Sequence, residues 1–220
     1  MATIAVVGGA GQIARHLHPL LLAAGHRPVA LVRRREQADE LGALGVDSRL
    51  LDLEAAGHDE FVAALEGADA VVFAAGGGAD GDPERKRTVD LEGSLKSIAA
   101  ASALGVDRFV QVSAIGVDAP VPDDTPEVWR AYVEAKRAAD VALRESDLAW
   151  TILRPGGLTD DEPTGRVTLA ADVERSEIPR ADVAAVIAAV IDDGRAVRQQ
   201  WELVGGQVPV LEAVTAATTT

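Results

Sequence analysis

Short, uninterrupted apolar segments alternate along the chain with longer segments whose apolar residues recur at helical spacing. The apolar segments predict six strands, at residues 3–8, 28–32, 46–51, 70–74, 108–112 and 149–153. The segments between them predict helices over residues 12–24, 35–43, 58–65, 84–103 and 126–146. Continuous apolar strands are typical of a parallel sheet that is buried on both faces. The pattern therefore predicts an α/β fold, a doubly wound parallel sheet with helices on both faces.

The pattern weakens after residue 157. There we expect a strand at 166–170, a helix at 180–192 and a strand at 200–204. This stretch of about sixty residues is too short for an ordinary second domain. We therefore predict one domain over residues 1–220, in which residues 158–220 form a small cap on the substrate side of the sheet.

Composition narrows the range of functions. The 220 residues contain no cysteine, which excludes disulfides and thiolate chemistry. A net charge of −14 disfavours binding to nucleic acid. No signal peptide and no membrane-spanning stretch is recognisable, so we expect a cytoplasmic protein without membrane contact. No histidine and carboxylate set has the spacing of a metal site, and none is predicted.

A glycine-rich turn, Gly-Gly-Ala-Gly-Gln-Ile-Ala at residues 8–14, joins the first strand to the first helix. Glycines there let the backbone approach a pyrophosphate, whose charge then faces the helix N-terminus. This placement predicts a Rossmann-like fold that binds a dinucleotide. A tight turn without a ligand is the alternative. The residues expected to contact the cofactor are Gly8, Ala10, Gly11, Gln12 and Ile13.

The end of the second strand indicates which dinucleotide binds. NAD-binding folds usually place a carboxylate there to hold the ribose 2′-hydroxyl. This chain instead has Arg33 and Arg34, whose guanidinium groups suit a 2′-phosphate. We therefore expect NADP(H) rather than NAD(H). The alternative is that these arginines only solubilise the start of a helix.

Further cofactor contacts are expected at the ends of the third and fourth strands. Asp52, followed by Leu53, is placed to accept a hydrogen bond from adenine, or else it stabilises a turn. Ala74, Ala75 and Gly76 are small enough for a ribose and diphosphate to lie against the backbone, although a plain loop would look the same.

The candidate catalytic residues are Tyr132, Lys136 and Ser113. Tyr132 and Lys136 are four residues apart on a predicted helix and therefore share a face. A neighbouring lysine favours phenolate and so lowers the pKa of a tyrosine, which suits a general acid or base. Ser113 ends the fifth strand and either bonds a substrate carbonyl or serves the turn. Trp129, one turn before Tyr132, either lines a substrate pocket or packs in the core.

Together these motifs resemble the short-chain dehydrogenase/reductases over roughly residues 3–204. The nearest branch is the atypical, small NAD(P)H-binding one, which includes NmrA-like and flavin/biliverdin reductase-like proteins. The segments that carry the resemblance are the glycine turn at 8–14, Ser113, Tyr132-x-x-x-Lys136, Leu-Arg-Pro-Gly at 153–156 and Ile-Pro-Arg-Ala-Asp-Val-Ala at 178–184.

The resemblance implies a role for each matching residue. Tyr132 would be the general acid or base, and Lys136 would bind the nicotinamide ribose and tune the tyrosine. Ser113 would orient the substrate, and Pro155 and Gly156 would flank the nicotinamide.

We therefore expect an NADP(H)-dependent oxidoreductase that transfers a hydride between nicotinamide and a small carbonyl, quinone or flavin-like substrate. A non-catalytic NADP(H)-binding sensor is the first alternative, and an NAD-dependent epimerase/dehydratase is a weaker one. The expected partner is a small-molecule substrate, and a homodimer is compatible with the sequence.

Overall fold

The computed structural model describes residues 1–78 and 81–219. Its strands are β1 (Thr3–Val7), β2 (Arg27–Val32), β3 (Asp47–Leu50), β4 (Ala70–Phe73), β5 (Arg108–Val112), β6 (Ala149–Pro155), β7 (Gly157–Thr159), β8 (Arg166–Ala170), β9 (Glu177–Pro179), β10 (Gln199–Gly205) and β11 (Val208–Pro209). Its helices are α1 (Gln12–Ala23), α2 (Arg35–Gly42), α3 (His58–Leu65), α4 (Pro83–Arg85), α5 (Gly93–Leu104), α6 (Glu127–Glu145), α7 (Arg180–Asp193) and α8 (Val210–Ala217), and a π-helical segment (Lys86–Glu92) joins α4 to α5.

Nine of these strands form one sheet in the order β11-β8-β10-β6-β5-β4-β1-β2-β3. Pairing is parallel from β10 to β3, whereas at the opposite edge β8 pairs antiparallel with both β10 and β11. The chain leaves β1 towards β2 and β3 on one side and then crosses to β4 on the other. Ligands bind where the strand order reverses in this way. The predicted doubly wound Rossmann-like fold is confirmed, and its switch point lies between β1 and β4.

Both faces of the sheet are buried, which explains the apolar strands. Ile4 and Val6 of β1 face the core layer formed with α1, α7 and α8. Ala5 and Val7 face the opposite layer, which contains apolar residues of α3 and α5. Because successive strand residues point to opposite faces, a strand between two helical layers must be apolar throughout.

The segment predicted to form the cap contributes strands to the main sheet. The strands at 166–170 and 199–205 join that sheet and extend its edge. Among the described residues, the two-stranded sheet of β7 and β9 lies apart from it. These two strands and β11 have three or fewer residues each, which is too short for a hydrophobic period to reveal them.

The long helix predicted over 84–103 is not continuous α-helix. Residues 86–92 adopt π-helical geometry, which occurs mostly as short insertions and frequently at functional sites. Within the described ranges, 1–78 and 81–219, no helix is long and apolar enough to cross a membrane.

Candidate functional site

A cleft of about 620 Å³ crosses the carboxyl ends of the central strands at the switch point. It begins at the glycine turn, passes the ends of β2 and β3, and reaches α6. Its lining includes the predicted residues Gly8, Ala10, Gly11, Gln12, Ile13, Arg33, Asp52, Leu53, Ala74, Ala75, Gly76, Ser113, Tyr132 and Lys136.

The glycine turn is shaped by close backbone approaches. Gly8 has φ +79°, and a Cβ on it would lie 2.7 Å from Cα of Ala75. A Cβ on Gly9 would lie 2.6 Å from Cβ of Ala30 in β2. Larger residues would therefore push β1 away from its neighbouring strands.

The start of α1 opens into the cleft. Its N-cap residue Gly11 has no side chain to cap the helix, and the first helical bond runs from the Arg15 N–H to the Gly11 carbonyl at 3.0 Å. The amides of residues 12–14 precede that bond and have no partner within the helix. Free amides and the helix dipole together favour an anion such as pyrophosphate at this point.

The side chain of His18 holds the glycine turn in place. Its Nε2 lies 2.7 Å from the carbonyl oxygen of Gly9, and the side chain is buried. Since a carbonyl only accepts, Nε2 is the protonated nitrogen of a neutral ring. Burial lowers the pKa of His18, and the hydrogen bond to Gly9 only partly offsets that effect. The sequence marks this histidine no differently from its neighbour His16.

The two predicted arginines are separated by the structure. Arg33 lines the cleft, but Arg34 does not and instead forms the N-cap of α2. Glu54 lies close to Arg33, at 3.6 Å, and to Arg85, at 3.7 Å, while Thr88 Oγ1 donates to it at 2.8 Å. The loop after β3 therefore places a carboxylate beside Arg33, although the sequence at the end of β2 predicts none there. Sequence position could not reveal it, because it reaches Arg33 only through the fold.

Asp52 adopts the turn role that was left open for it. Its Oδ1 accepts a hydrogen bond from the backbone N–H of Glu54 at 3.1 Å. It also lines the cleft, so its predicted contact with adenine stays a prediction.

Tyr132 and Lys136 lie together at the far end of the cleft, with an acidic partner that the sequence pattern does not reveal. Lys136 Nζ is 3.1 Å from Asp90 Oδ1, donates to the carbonyl of Val112 at 3.1 Å, and lies 6.0 Å from the centre of the Tyr132 ring. Asp90 belongs to the π-helical segment, and its Oδ2 accepts from the Gly77 N–H at 2.8 Å.

This environment corrects the predicted pKa of the tyrosine. Burial raises the pKa of Tyr132, and the lowering effect of Lys136 is opposed by Asp90 and Asp140, so the net shift is upwards. Burial alone would lower the pKa of Lys136, but Asp90 and Tyr132 outweigh it and the net shift is again upwards. At neutral pH the pair is therefore a neutral phenol beside an ammonium group.

The buried carboxylate of Asp140 holds the Ser113 side chain. Its Oγ donates to Asp140 Oδ2 at 2.8 Å, and Arg154 donates to the same oxygen from Nε at 2.9 Å. Gln111 donates to Asp140 Oδ1 at 2.8 Å. In this arrangement the hydrogen of Ser113 is directed to Asp140, and the side chain offers a lone pair to the cleft. Its predicted bond to a substrate carbonyl, which needs a donor, stays a prediction.

Pro155 and Gly156 do not line the cleft. Pro155 is buried in β6 opposite Leu203, and a Cβ on Gly156 would lie 2.0 Å from the carbonyl oxygen of Ser176. At Gly156 the absence of a Cβ therefore permits this close approach of the backbone before β9, and the predicted contact of both residues with the nicotinamide stays a prediction. Leu158 and Arg180, which come later in the chain, do line the cleft, where Pro155 and Gly156 were expected.

A doubly wound sheet with a glycine turn and an open helix N-terminus at its switch point defines a nucleotide-binding protein of the Rossmann class. Residues 8–194 match the model of the NAD(P)H-binding family, and the chain belongs to that family. The expected membership of an NAD(P)H-binding family is thereby confirmed.

Similar proteins carry different names. The "Uncharacterized sugar epimerase YhfK" of Bacillus subtilis is 37% identical, over 95% of this chain and 97% of its own length. A solved structure named "Putative NAD-dependent epimerase/dehydratase", from Bacillus halodurans, is 38% identical with a TM-score of 0.91, covering 98% of this chain and 100% of its own. The "NAD(P)H azoreductase" of Xenophilus azovorans is 33% identical over 70% of this chain and 47% of its own length.

Replacing Gly156 with alanine should destabilise the protein without acting through the cofactor. The added Cβ would clash with the Ser176 carbonyl, so we expect a loss of about 1–3 kcal/mol of unfolding free energy. Gly157→Ala is the matched control, because the tightest contact of its Cβ would be with the flexible Glu177 side chain, at 3.3 Å, and backbone atoms lie no nearer than 3.9 Å. Denaturant unfolding measures both. An unchanged stability in Gly156→Ala, with weaker NADPH binding, would return this glycine to the cofactor site.

His18 should make stability depend on pH below neutrality. Its pKa in the folded protein is below the ordinary 6.5, so the unfolded chain binds the proton first as pH falls. Stability is therefore complete above pH 6.5 and declines below it, with a slope of at most about 1.4 kcal/mol per pH unit. Denaturant unfolding of His18→Gln, whose amide can still donate to Gly9, should lack this slope, whereas His16→Gln should keep it. Equal slopes in the two variants would show that His18 is not the responsible group.

Proposed function

We propose that the protein is an NADP(H)-dependent oxidoreductase that transfers a hydride between nicotinamide and a small carbonyl, quinone or flavin-like substrate. The observation that supports this most is the continuity of the cleft. One cleft joins an anion-binding helix N-terminus and Arg33 to a half-buried Tyr132 and a buried Lys136. Family membership supports the nicotinamide cofactor, and the azoreductase similarity supports the reductase chemistry.

The residues of the cleft fit a dinucleotide in size and charge. Its volume of about 620 Å³ lies within the usual range for cofactor sites. The amides of residues 12–14 would hold the pyrophosphate, Arg33 the 2′-phosphate, and Lys136 the ribose next to the nicotinamide. When bound there, NADPH supplies the hydride.

Tyr132 would provide the proton that accompanies reduction. Its raised pKa keeps the phenol protonated at neutral pH, so it donates to a substrate oxygen or nitrogen that gains charge. The ammonium group of Lys136 would then stabilise the phenolate that remains. Hydride and proton together give the substrate two electrons and two hydrogens, and the phenol is restored from solvent.

Ser113 sets a condition on the substrate. Since its hydrogen points to Asp140, it accepts a hydrogen bond and favours a substrate with a hydroxyl or N–H group beside the reacting atom. Asp140 and Arg154 do not line the cleft; they hold this serine, and the charge of Asp140 also helps to raise the pKa of Tyr132.

Preference for NADP(H) should depend on Arg33 and not on Arg34. Arg33→Gln removes the guanidinium in the cleft, and we expect the Kd for NADPH to rise about tenfold while that for NADH changes little. Arg34→Gln is the matched control and should leave both Kd values unchanged. Glu54→Gln should tighten NADPH binding, since its carboxylate competes with the phosphate for Arg33. Equal effects of Arg33→Gln on NADPH and NADH would disprove the assignment of the 2′-phosphate.

Tyr132→Phe tests the catalytic assignment. With a carbonyl acceptor that needs a proton, we expect kcat to fall at least about a hundredfold while the Kd for NADPH is retained. The assay follows NADPH oxidation with carbonyl, quinone and flavin acceptors. An unchanged rate with a carbonyl substrate would remove Tyr132 as the acid. NADPH binding without turnover of any acceptor would favour a non-catalytic NADP(H) sensor.

The similarity to two proteins with epimerase names favours a second candidate, an NAD-dependent epimerase/dehydratase. Such an enzyme returns the hydride to its substrate and consumes no nicotinamide cofactor overall. Conversion of a nucleotide sugar with catalytic NAD, and without net NADPH oxidation, would support it over the reductase.

A further inference from the structure

An exposed tryptophan stands beside the catalytic end of the cleft. Trp129 is 45% exposed, whereas Trp150 and Trp201 are 8% and 4% exposed. Its ring centre lies 5.2 Å from that of Tyr132, with the planes tilted by 32°. The aromatic surface of Tyr132 thus continues out of the cleft onto the indole, where a flat ring system can stack.

A cation lies over this aromatic surface. The guanidinium carbon of Arg175 is 5.9 Å from the Trp129 ring, and its charge also acts on Tyr132. In the part of the chain that the structure describes, no carboxylate forms an ion pair with Arg175. Arg180, which lines the cleft nearby, is paired with Asp160 at 2.8 Å. In a chain of net charge −14, Arg175 is therefore a cation available to bind an anion beside Trp129.

Arg175 lies two residues before β9 of the small β7–β9 sheet. Leu158 of β7 pairs with Ile178 of β9, and the Gly157 N–H donates to the Ser176 carbonyl at 2.9 Å, next to Arg175 in the chain. Leu158 also lines the cleft and is 37% exposed, so it offers an apolar wall facing the same opening.

We propose that Trp129, Arg175 and Leu158 form a substrate subsite at the mouth of the cleft, the mouth subsite, which selects planar aromatic molecules carrying a carboxylate or similar anion. The ring would lie on Tyr132 and Trp129 with its reactive atom towards the cleft, and the anion would pair with Arg175. This inference rests on the proposed function for which end of the cleft receives substrate.

The competing explanation is a purely structural clasp between Arg175 and Trp129. Such a clasp would stabilise the loop before β9 but would not distinguish charged from neutral ligands. The two explanations therefore differ in charge selectivity, which can be measured without turnover.

The test uses two redox-inert probes of equal shape, 2-naphthoate and neutral 2-naphthamide, on the full chain with saturating NADP⁺. Calorimetry gives both Kd values, and we expect the naphthoate to bind about tenfold more tightly. Arg175→Gln should abolish this difference by weakening naphthoate alone. Arg27→Gln, the same charge change at the amino end of β2, should keep it. Trp129→Leu should weaken both probes.

Equal binding of the two probes to the wild type, or an unchanged difference in Arg175→Gln, would overturn the mouth subsite. Thermal unfolding with NADP⁺ is measured in parallel on the same samples. If NADP⁺ stabilises the protein but charge selectivity is missing, the inference fails and the proposed function stands. If NADP⁺ and NADPH both fail to stabilise it, the proposed function fails, and the probes are then measured on the protein alone, with the same outcomes deciding the mouth subsite.

Discussion

The buried ion pair between Lys136 and Asp90 is the interaction on which the catalytic end of the site depends. It joins three elements: α6, which carries the lysine, the π-helical segment, which carries the aspartate, and β5, whose Val112 carbonyl accepts from the ammonium group. Removing one member of such a pair leaves an uncompensated buried charge, which typically costs about 3–5 kcal/mol. The pair therefore fixes both the fold around the cleft and the charge beside Tyr132.

A second buried carboxylate, that of Asp140, organises the polar side chains next to Ser113. It accepts hydrogen bonds from Ser113 and from Arg154, and Arg154 Nη1 also donates to Asp118 at 2.7 Å. Because the hydrogen of Ser113 is directed to Asp140, this serine presents an acceptor to the cleft, next to the phenol of Tyr132. The orientation of Ser113 is therefore set by residues that do not line the cleft themselves.

The sequence predicts the sheet, most helices and the glycine turn because each follows from local periodicity or from residues adjacent in the chain. It also brings Tyr132 and Lys136 together, since helical spacing alone does so. It cannot predict Glu54 beside Arg33, or Asp90 beside Lys136, because those contacts join segments that meet only after folding. It also cannot predict that Gly156 lies against the Ser176 carbonyl, because that contact likewise joins segments that are distant in the chain.

The central claim is that the switch-point cleft binds NADP(H), and thermal unfolding with added NADPH and NADH tests it most directly. A ligand that binds only the folded state stabilises it by about 2.7 kcal/mol at a hundredfold excess over its Kd. We predict a rise in Tm with NADPH at lower concentrations than with NADH. An unchanged Tm with both cofactors at millimolar concentration would contradict the account.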